Sequence, residues 1–165
     1  MKIKIIAAVC KNNGIGKNNC LPWNSKTDLK FFSKTTKGNN NNAVLMGRNT
    51  WKSLSKPLVN RFNIILSSQD LDDSSPNVKV LKNIDEAIEF AYSKNFDVLW
   101  IIGGAQVYQT FINEHYNLIE ECLITEIQED YDCDTFFPNL DNWTVSENII
   151  LGNYEHLVKT YIKNK

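Results

Sequence analysis

The chain has 165 residues, 42% of them hydrophobic and 22% charged, with a formal net charge of −1. That length suits one well-buried domain and is short for two, and the composition is that of an ordinary soluble globular protein. No basic block favours a nucleic-acid partner, and no apolar run approaches the length of a membrane span.

Lys2 and Lys4 precede the run Ile5-Ile6-Ala7-Ala8-Val9-Cys10, which is shorter than a secretory h-region and lacks a small-residue cleavage site after it. Residues 3–10 therefore read as a buried first strand. The segment 12–19, with Gly14 and Gly16 around an isolated Ile15, reads as a long flexible loop. A helix is expected from Ser25 to about Thr36, with Ser25 as N-cap and Gly38 as terminator. The asparagine run 39–42 reads as a surface loop, for which low complexity is sufficient explanation.

Residues 43–46 form the next expected strand, followed by Gly47 and a helical turn through Trp51 and Leu54. Strands at 62–66 and 78–81 and a helix at 84–92 come next. The apolar run 98–102, bounded by Gly103-Gly104, reads as a central strand buried on both faces. A helix follows from 105 to about 113. Strands are expected at 121–127, 144–151 and 155–162, the last two joined through the hairpin signal Gly152-Asn153. Strands alternating with helices predict a mostly parallel α/β sheet with antiparallel strands at one edge, in a single unit spanning 1–165.

Cys10, Cys20, Cys122 and Cys133 are scattered, with no Cys-x-x-Cys and no histidine spaced to complete a metal site. They read as buried small hydrophobes or free thiols, and no metal is expected. A reducing cytoplasm is the compartment that this usage implies. His115 and His156 have no recognisable partner and read as surface or core-edge residues. The acids near 120–134 lack the spacing of a calcium loop, and no nucleophile elbow is present.

Open α/β sheets bind ligands at the carboxyl ends of their strands, where helix N-termini meet anions. Three such ends stand out. Gly47-Arg48-Asn49-Thr50 offers a guanidinium and a hydroxyl suited to phosphate oxygens. Leu66-Ser67-Ser68 places two hydroxyls after the next strand. Gly103-Gly104-Ala105-Gln106 lets backbone approach a pyrophosphate. Together they point to a nucleotide-sized ligand. Asp28 has two readings: an acid in the first turn of a helix capped by Ser25, or a partly buried carboxylate holding a cationic or amidine-like ligand edge.

Taken in order, the motifs resemble one family, dihydrofolate reductase, almost end to end. They are Gly14-Ile15-Gly16, Leu21-Pro22-Trp23, Thr27-Asp28-Leu29-x-x-Phe32, Met46-Gly47-Arg48-x-Thr50-Trp51, Pro57-Leu58, Arg61, Asn63-Ile64-Ile65-Leu66-Ser67, Ile102-Gly103-Gly104-x-x-Val107-Tyr108, Thr125 and Asp134-Thr135-x-Phe137-Pro138. The resemblance implies an eight-stranded mixed sheet and NADPH-dependent reduction of 7,8-dihydrofolate to tetrahydrofolate, in support of one-carbon metabolism and thymidylate synthesis. Dihydrofolate and antifolate-like small molecules are the implied partners, with no nucleic acid and no membrane. The chain is expected to be a monomer unless it is part of a fusion with thymidylate synthase.

By this match Asp28 anchors the pterin through N3 and the 2-amino group and favours protonation at N5, while hydride passes from nicotinamide C4 to pterin C6. Thr125 supports Asp28, and Trp23 positions a water. Ile6, Leu29, Phe32, Leu54 and Ile102 wall the pterin and aminobenzoyl group, and Arg61 clamps the folate α-carboxylate. Ala8, Ile15 and Tyr108 meet the nicotinamide, with Tyr108 also on the substrate side. Gly103, Gly104, Ala105, Gln106 and Val107 match cofactor contacts, and the Gly103–Gly104 peptide is cis in the family. The loop 11–22 resembles a lid with Leu21 at its tip and Gly16 and Asp134 as docking partners.

Three departures from the family pattern stand out. Gln106 replaces an arginine near the cofactor 2′-phosphate, which leaves that preference to Arg48, Ser68 and Lys82. Ser33 replaces a lysine near the folate glutamate, with Lys34 or Lys56 as substitutes. The 37–42 loop is longer than in compact bacterial relatives. A riboflavin-pathway reductase domain and a non-catalytic pterin- or nucleotide-binding module are the competing readings; the Pro-Trp…Asp pairing and Arg61 favour folate.

Overall fold

A computed structural model describes all 165 residues. In chain order the strands are β1 (Lys2–Val9), β2 (Gly14–Gly16), β3 (Ala43–Gly47), β4 (Phe62–Leu66), β5 (Val78–Leu81), β6 (Val98–Ile101), β7 (Ile119–Ile127), β8 (Thr135–Phe136), β9 (Trp143–Leu151) and β10 (His156–Lys163). The helices are α1 (Lys26–Lys37), α2 (Arg48–Ser53), α3 (Ile84–Ser93) and α4 (Ala105–Glu114). Eight strands form one sheet in the order β5-β4-β3-β6-β1-β7-β10-β9. The pairs from β5 to β7 are parallel, and β10 runs antiparallel to both β7 and β9.

The parallel strands are covered on both faces. Val44, Leu45 and Met46 are each fully buried although they point alternately to opposite sides. One face packs Ile3, Ile5, Leu45, Ile64 and Ile101 against Ala87 and Ala91 of α3 and Phe111 of α4. The other packs Ile6, Val44, Met46, Ile65 and Trp100 against Phe31 and Phe32 of α1 and Trp51 beside them. Burying an aliphatic side chain of this size contributes about 1.5–3 kcal/mol, so these two layers dominate the stability of the fold.

Helix α1 begins as its sequence dictates. The Ser25 hydroxyl accepts from the Asp28 backbone N–H at 3.1 Å, and the Gly38 N–H closes the other end on the Lys34 carbonyl at 3.2 Å. Gly38 has φ +48, a conformation that L side chains rarely adopt.

Four local expectations need correction. The loop 12–19 contains β2, which pairs antiparallel with β8 outside the main sheet. Strand β7 starts at Ile119, which pairs with Ile3 of β1, and its Glu120 and Glu121 are met by Lys2 at 3.0 Å and Lys4 at 2.7 Å. Asn42 is not surface loop. It is buried, donating to the Thr36 carbonyl at 3.0 Å and accepting from the Val98 N–H at 3.1 Å, so it ties the end of α1 to β6. His156 does have a partner: it is 6% exposed, and its Nε2 lies 2.6 Å from the Ser25 hydroxyl.

Candidate active site

A cleft of about 1100 Å³ runs across the carboxyl ends of β1, β3, β4 and β6. The element ends explain its shape. Ala7 and Ala8 lie near the end of β1, Gly47 closes β3, Leu66 closes β4, and Ile102 follows β6. Helix α1 supplies Asp28, Leu29 and Phe32 on one side, and the segment 11–22 supplies Ile15, Gly16 and Leu21. Another hollow, of about 610 Å³ beside Ile112, Tyr116 and Asn142, presents no carboxylate or cation.

The charges in the large cleft are sorted. Asp28 is the sole carboxylate among its lining residues, and it sits among Ile6, Leu29, Phe32, Leu54, Leu58 and Ile102. Arg48 and Lys82 are the only cations and lie at the other end, with Ser67, Ser68 and the starts of α2 and α4. Neither helix start carries an acid in its first turn or a side-chain cap, so their N–H groups remain available to an anion.

Asp28 is 8% exposed. Burial pushes its carboxyl pKa up from the ordinary carboxylate range, while the Thr125 hydroxyl and the charge of a protonated His156 oppose that rise. Ser25 holds His156 and Asp28 together. Its hydroxyl caps the Asp28 N–H and meets His156 Nε2, and the neighbouring Glu155 accepts from the Thr27 hydroxyl at 2.7 Å. The end of the final hairpin thus pins the start of α1.

At the cationic end, backbone makes the surface. A Cβ at Gly47 would meet Val107 at 3.2 Å, and one at Gly103, whose φ is +114, would meet the Tyr108 ring at 3.2 Å. The Gly103–Gly104 peptide is cis. The Tyr108 hydroxyl donates to the Ile6 carbonyl at 2.8 Å, joining α4 to β1 beneath the cleft. Arg48 donates to the Gln69 side chain, and the buried Ser67 hydroxyl donates to the Gln69 carbonyl at 2.8 Å.

The lid is docked. The Asp134 N–H donates to the Gly16 carbonyl at 3.0 Å, the Asn18 N–H donates to Asp134 Oδ2 at 2.9 Å, and Lys17 meets Asp132 at 3.1 Å. Gly16 lies against the Thr135 hydroxyl, where a Cβ would come within 2.8 Å.

Most residues singled out in the sequence line this cleft, including Asn49, Thr50, Ala105 and Gln106. Trp23, Arg61 and Thr125 do not; they are buried behind its surface, and Lys56 is exposed and outside its lining. Trp23 packs on Tyr131 with ring centroids 5.6 Å apart, and its Nε1 is a buried donor without a protein partner. The Arg61 guanidinium donates to the Thr36 hydroxyl at 3.0 Å and to the Val59 carbonyl at 2.9 Å, with no carboxylate in an ion pair. Burial lowers its pKa. Asn63, fully buried, braces the segment that carries Leu58 and Arg61 by bonding both of their carbonyls at 3.0 Å. Sequence reasoning missed Asn83 and Ile84 beside Lys82, for which the N-cap pattern at 83 was the available signal. It also missed His156, for which no local pattern exists.

Comparison with known proteins accords with this geometry. The family model described as dihydrofolate reductase matches residues 2–160. The dihydrofolate reductase of Heliothis virescens is 39% identical over 153 residues, covering 86% of this chain and 81% of that protein. The mouse (Mus musculus) dihydrofolate reductase is 34% identical over 151 residues, covering 84% of this chain and 80% of that protein. The bifunctional dihydrofolate reductase-thymidylate synthase 2 of Arabidopsis thaliana is 37% identical over 151 residues, 84% of this chain but 26% of that longer protein. With an eight-stranded mixed sheet, an acid at the apolar end of its cleft and matched relatives along most of its length, the chain belongs to the dihydrofolate reductase family of oxidoreductases.

Proposed function

We propose that the chain reduces 7,8-dihydrofolate to 5,6,7,8-tetrahydrofolate with NADPH, and so supports one-carbon metabolism and thymidylate synthesis. The carrying observation is the charge sorting of the cleft: one carboxylate in an apolar end, two cations and two uncapped helix starts at the other. A flat amidine-like heterocycle suits the first end, and the phosphates of a dinucleotide suit the second.

Gly47, Gly103 and Gly104 line the cleft and fit a cofactor, because backbone without side chains would let it approach closely. A nicotinamide cofactor held there would supply the hydride. Arg48, Ser67, Ser68 and Lys82 hold its phosphates, with Thr50 at the neighbouring helix start, while Ala8, Ile15 and Tyr108 flank its nicotinamide.

Asp28 accepts from the N3–H and 2-amino group of the pterin. Its negative charge favours a proton at N5 in the adjoining ring, which arrives through water, and Trp23 Nε1 is the buried donor suited to orient that water. Thr125 steadies the carboxylate. Ile6, Leu29, Phe32, Leu54 and Ile102 exclude water around the ring and its aminobenzoyl group, and Arg61 draws in the α-carboxylate. The lid, with Leu21 at its tip, closes the nicotinamide side and sets the pace of release.

Mixing the protein with NADPH and dihydrofolate tests the proposal. Loss of the reduced-nicotinamide absorbance, dependent on both reactants and yielding tetrahydrofolate, is the expected result. No decay with both present would refute it.

A further inference from the structure

The mechanism uses none of the four cysteines, yet two of them meet. Cys10, immediately after β1, and Cys133, immediately before the lid-docking Asp134, have sulfurs 3.8 Å apart across 123 residues of sequence. Room for this contact is made by Gly14, where a Cβ would stand 2.3 Å from the Cys133 sulfur. Asn12 holds the arrangement from the lid side: its carbonyl oxygen accepts from the Cys10 thiol at 2.7 Å and its amide donates to the Tyr131 carbonyl at 2.9 Å. Cys10 is buried and Cys133 partly exposed, so one sulfur is shielded and its neighbour is open to reagents. Cys122 is buried in the sheet and Cys20 is exposed, and neither contacts another sulfur.

We propose that Cys10 and Cys133 are a dithiol site that small-molecule disulfides oxidise, closing a covalent tether between the base of the lid and the strand on which it docks. The Cys133 thiolate attacks one sulfur of oxidised glutathione, forming a mixed disulfide and releasing one glutathione thiolate. Cys10, deprotonated, then attacks the Cys133 sulfur, forming the Cys10–Cys133 bond and releasing the second glutathione. The protein loses two electrons and two protons, and the reagent gains them as two thiols. The sulfurs close from 3.8 Å to about 2.05 Å, a movement that the loop around Cys133 can supply. Burial and the neighbouring Cys10 raise the Cys133 pKa, so the first attack is slow near neutrality and accelerates as pH rises.

The tether lies within the lid contacts already described, between the Lys17–Asp132 pair and the β2–β8 pairing. Its effect on turnover rests on the proposed reductase reading, whereas its formation does not. The test treats the reduced full chain with oxidised glutathione across a range of alkaline pH. The expected product has lost the mass of two hydrogens, gives a Cys10–Cys133 linked peptide, and is restored by dithiothreitol. Cys10→Ser should instead retain glutathione on Cys133. Amide hydrogen exchange in residues 11–22 should slow in the oxidised protein. A stable glutathione adduct on Cys133 of the parent, a Cys20–Cys133 link, or unchanged lid exchange after oxidation would each overturn the proposal.

Discussion

Replacing Asp28 by Asn separates the chemical role of this carboxylate from its place at a helix start. The Ser25 cap uses the backbone N–H of residue 28, which the substitution leaves in place. The side chain, by contrast, changes from an anion with two acceptor oxygens to a neutral group with one acceptor and one donor. Against the pterin edge, one charge-assisted hydrogen bond is weakened and the other becomes a donor facing a donor. At about 1.5–3 kcal/mol for each bond to a charged group, the loss comes to about 3–4 kcal/mol, or roughly two to three powers of ten in kcat/KM, and the part made only in the transition state appears in the hydride-transfer rate.

Stability should move the other way. Burial raises the Asp28 pKa, so the folded protein holds this proton more tightly than the unfolded chain. The associated stability is full below the unfolded carboxylate pKa and is lost as pH rises through the folded one. Above the folded pKa the parent has lost it, so there the Asp28→Asn protein should be at least as stable, with any margin gone below about pH 4. Stopped-flow hydride transfer and urea unfolding, each across pH, read the two effects independently. The rate deficit should shrink in acid, where substrate is already protonated. A near-normal rate at neutral pH would return Asp28 to the role of a helix-start acid.

Arg61→Lys should raise KM for dihydrofolate by about tenfold to a hundredfold, because an ammonium cannot grip a carboxylate through two parallel bonds. A substrate lacking the glutamate should show no such change, and an equal loss on both would reduce Arg61 to a brace for Thr36 and Val59. Gln106→Arg should tighten NADPH and leave NADH nearly unchanged in fluorescence titrations; equal effects on the two cofactors would remove residue 106 from the 2′-phosphate. Ser25→Ala removes both the α1 cap and the His156 contact, and should cost about 1–2 kcal/mol by urea denaturation. An unchanged midpoint would show that α1 is held by packing alone.

The sequence was most legible where a signal is local. Ser25 and Gly38 mark the two ends of α1, and the eight strands of the main sheet were all expected within two residues of where they lie. The order of those strands was not legible, since nothing near β6 states that it lies between β3 and β1. Strand β2 escaped because Gly-Ile-Gly carries no alternation, and its ladder depends on β8, far along the chain at Thr135–Phe136. Asn42 looked like the last member of a polar run; only the fold reveals that its amide spans α1 and β6. The site residues divide in the same way. The glycines and Arg48 fall at strand ends that any α/β sheet exposes, whereas Asp28 needed the whole motif set, and His156 became meaningful only beside Ser25.

That last contact sets the order in which the molecule can be assembled. Every residue lining the cleft has been synthesised once Thr135 is in place. The helix that carries Asp28 is nevertheless fastened by Glu155 and His156, and Thr125 lies on a strand whose outer neighbour is β10. A nascent chain therefore holds all the components of its pocket well before it can hold them still. The final hairpin acts as a clasp: until it docks, a folate gains little by entering, and the tightness of ligand binding reports that the last strand has arrived.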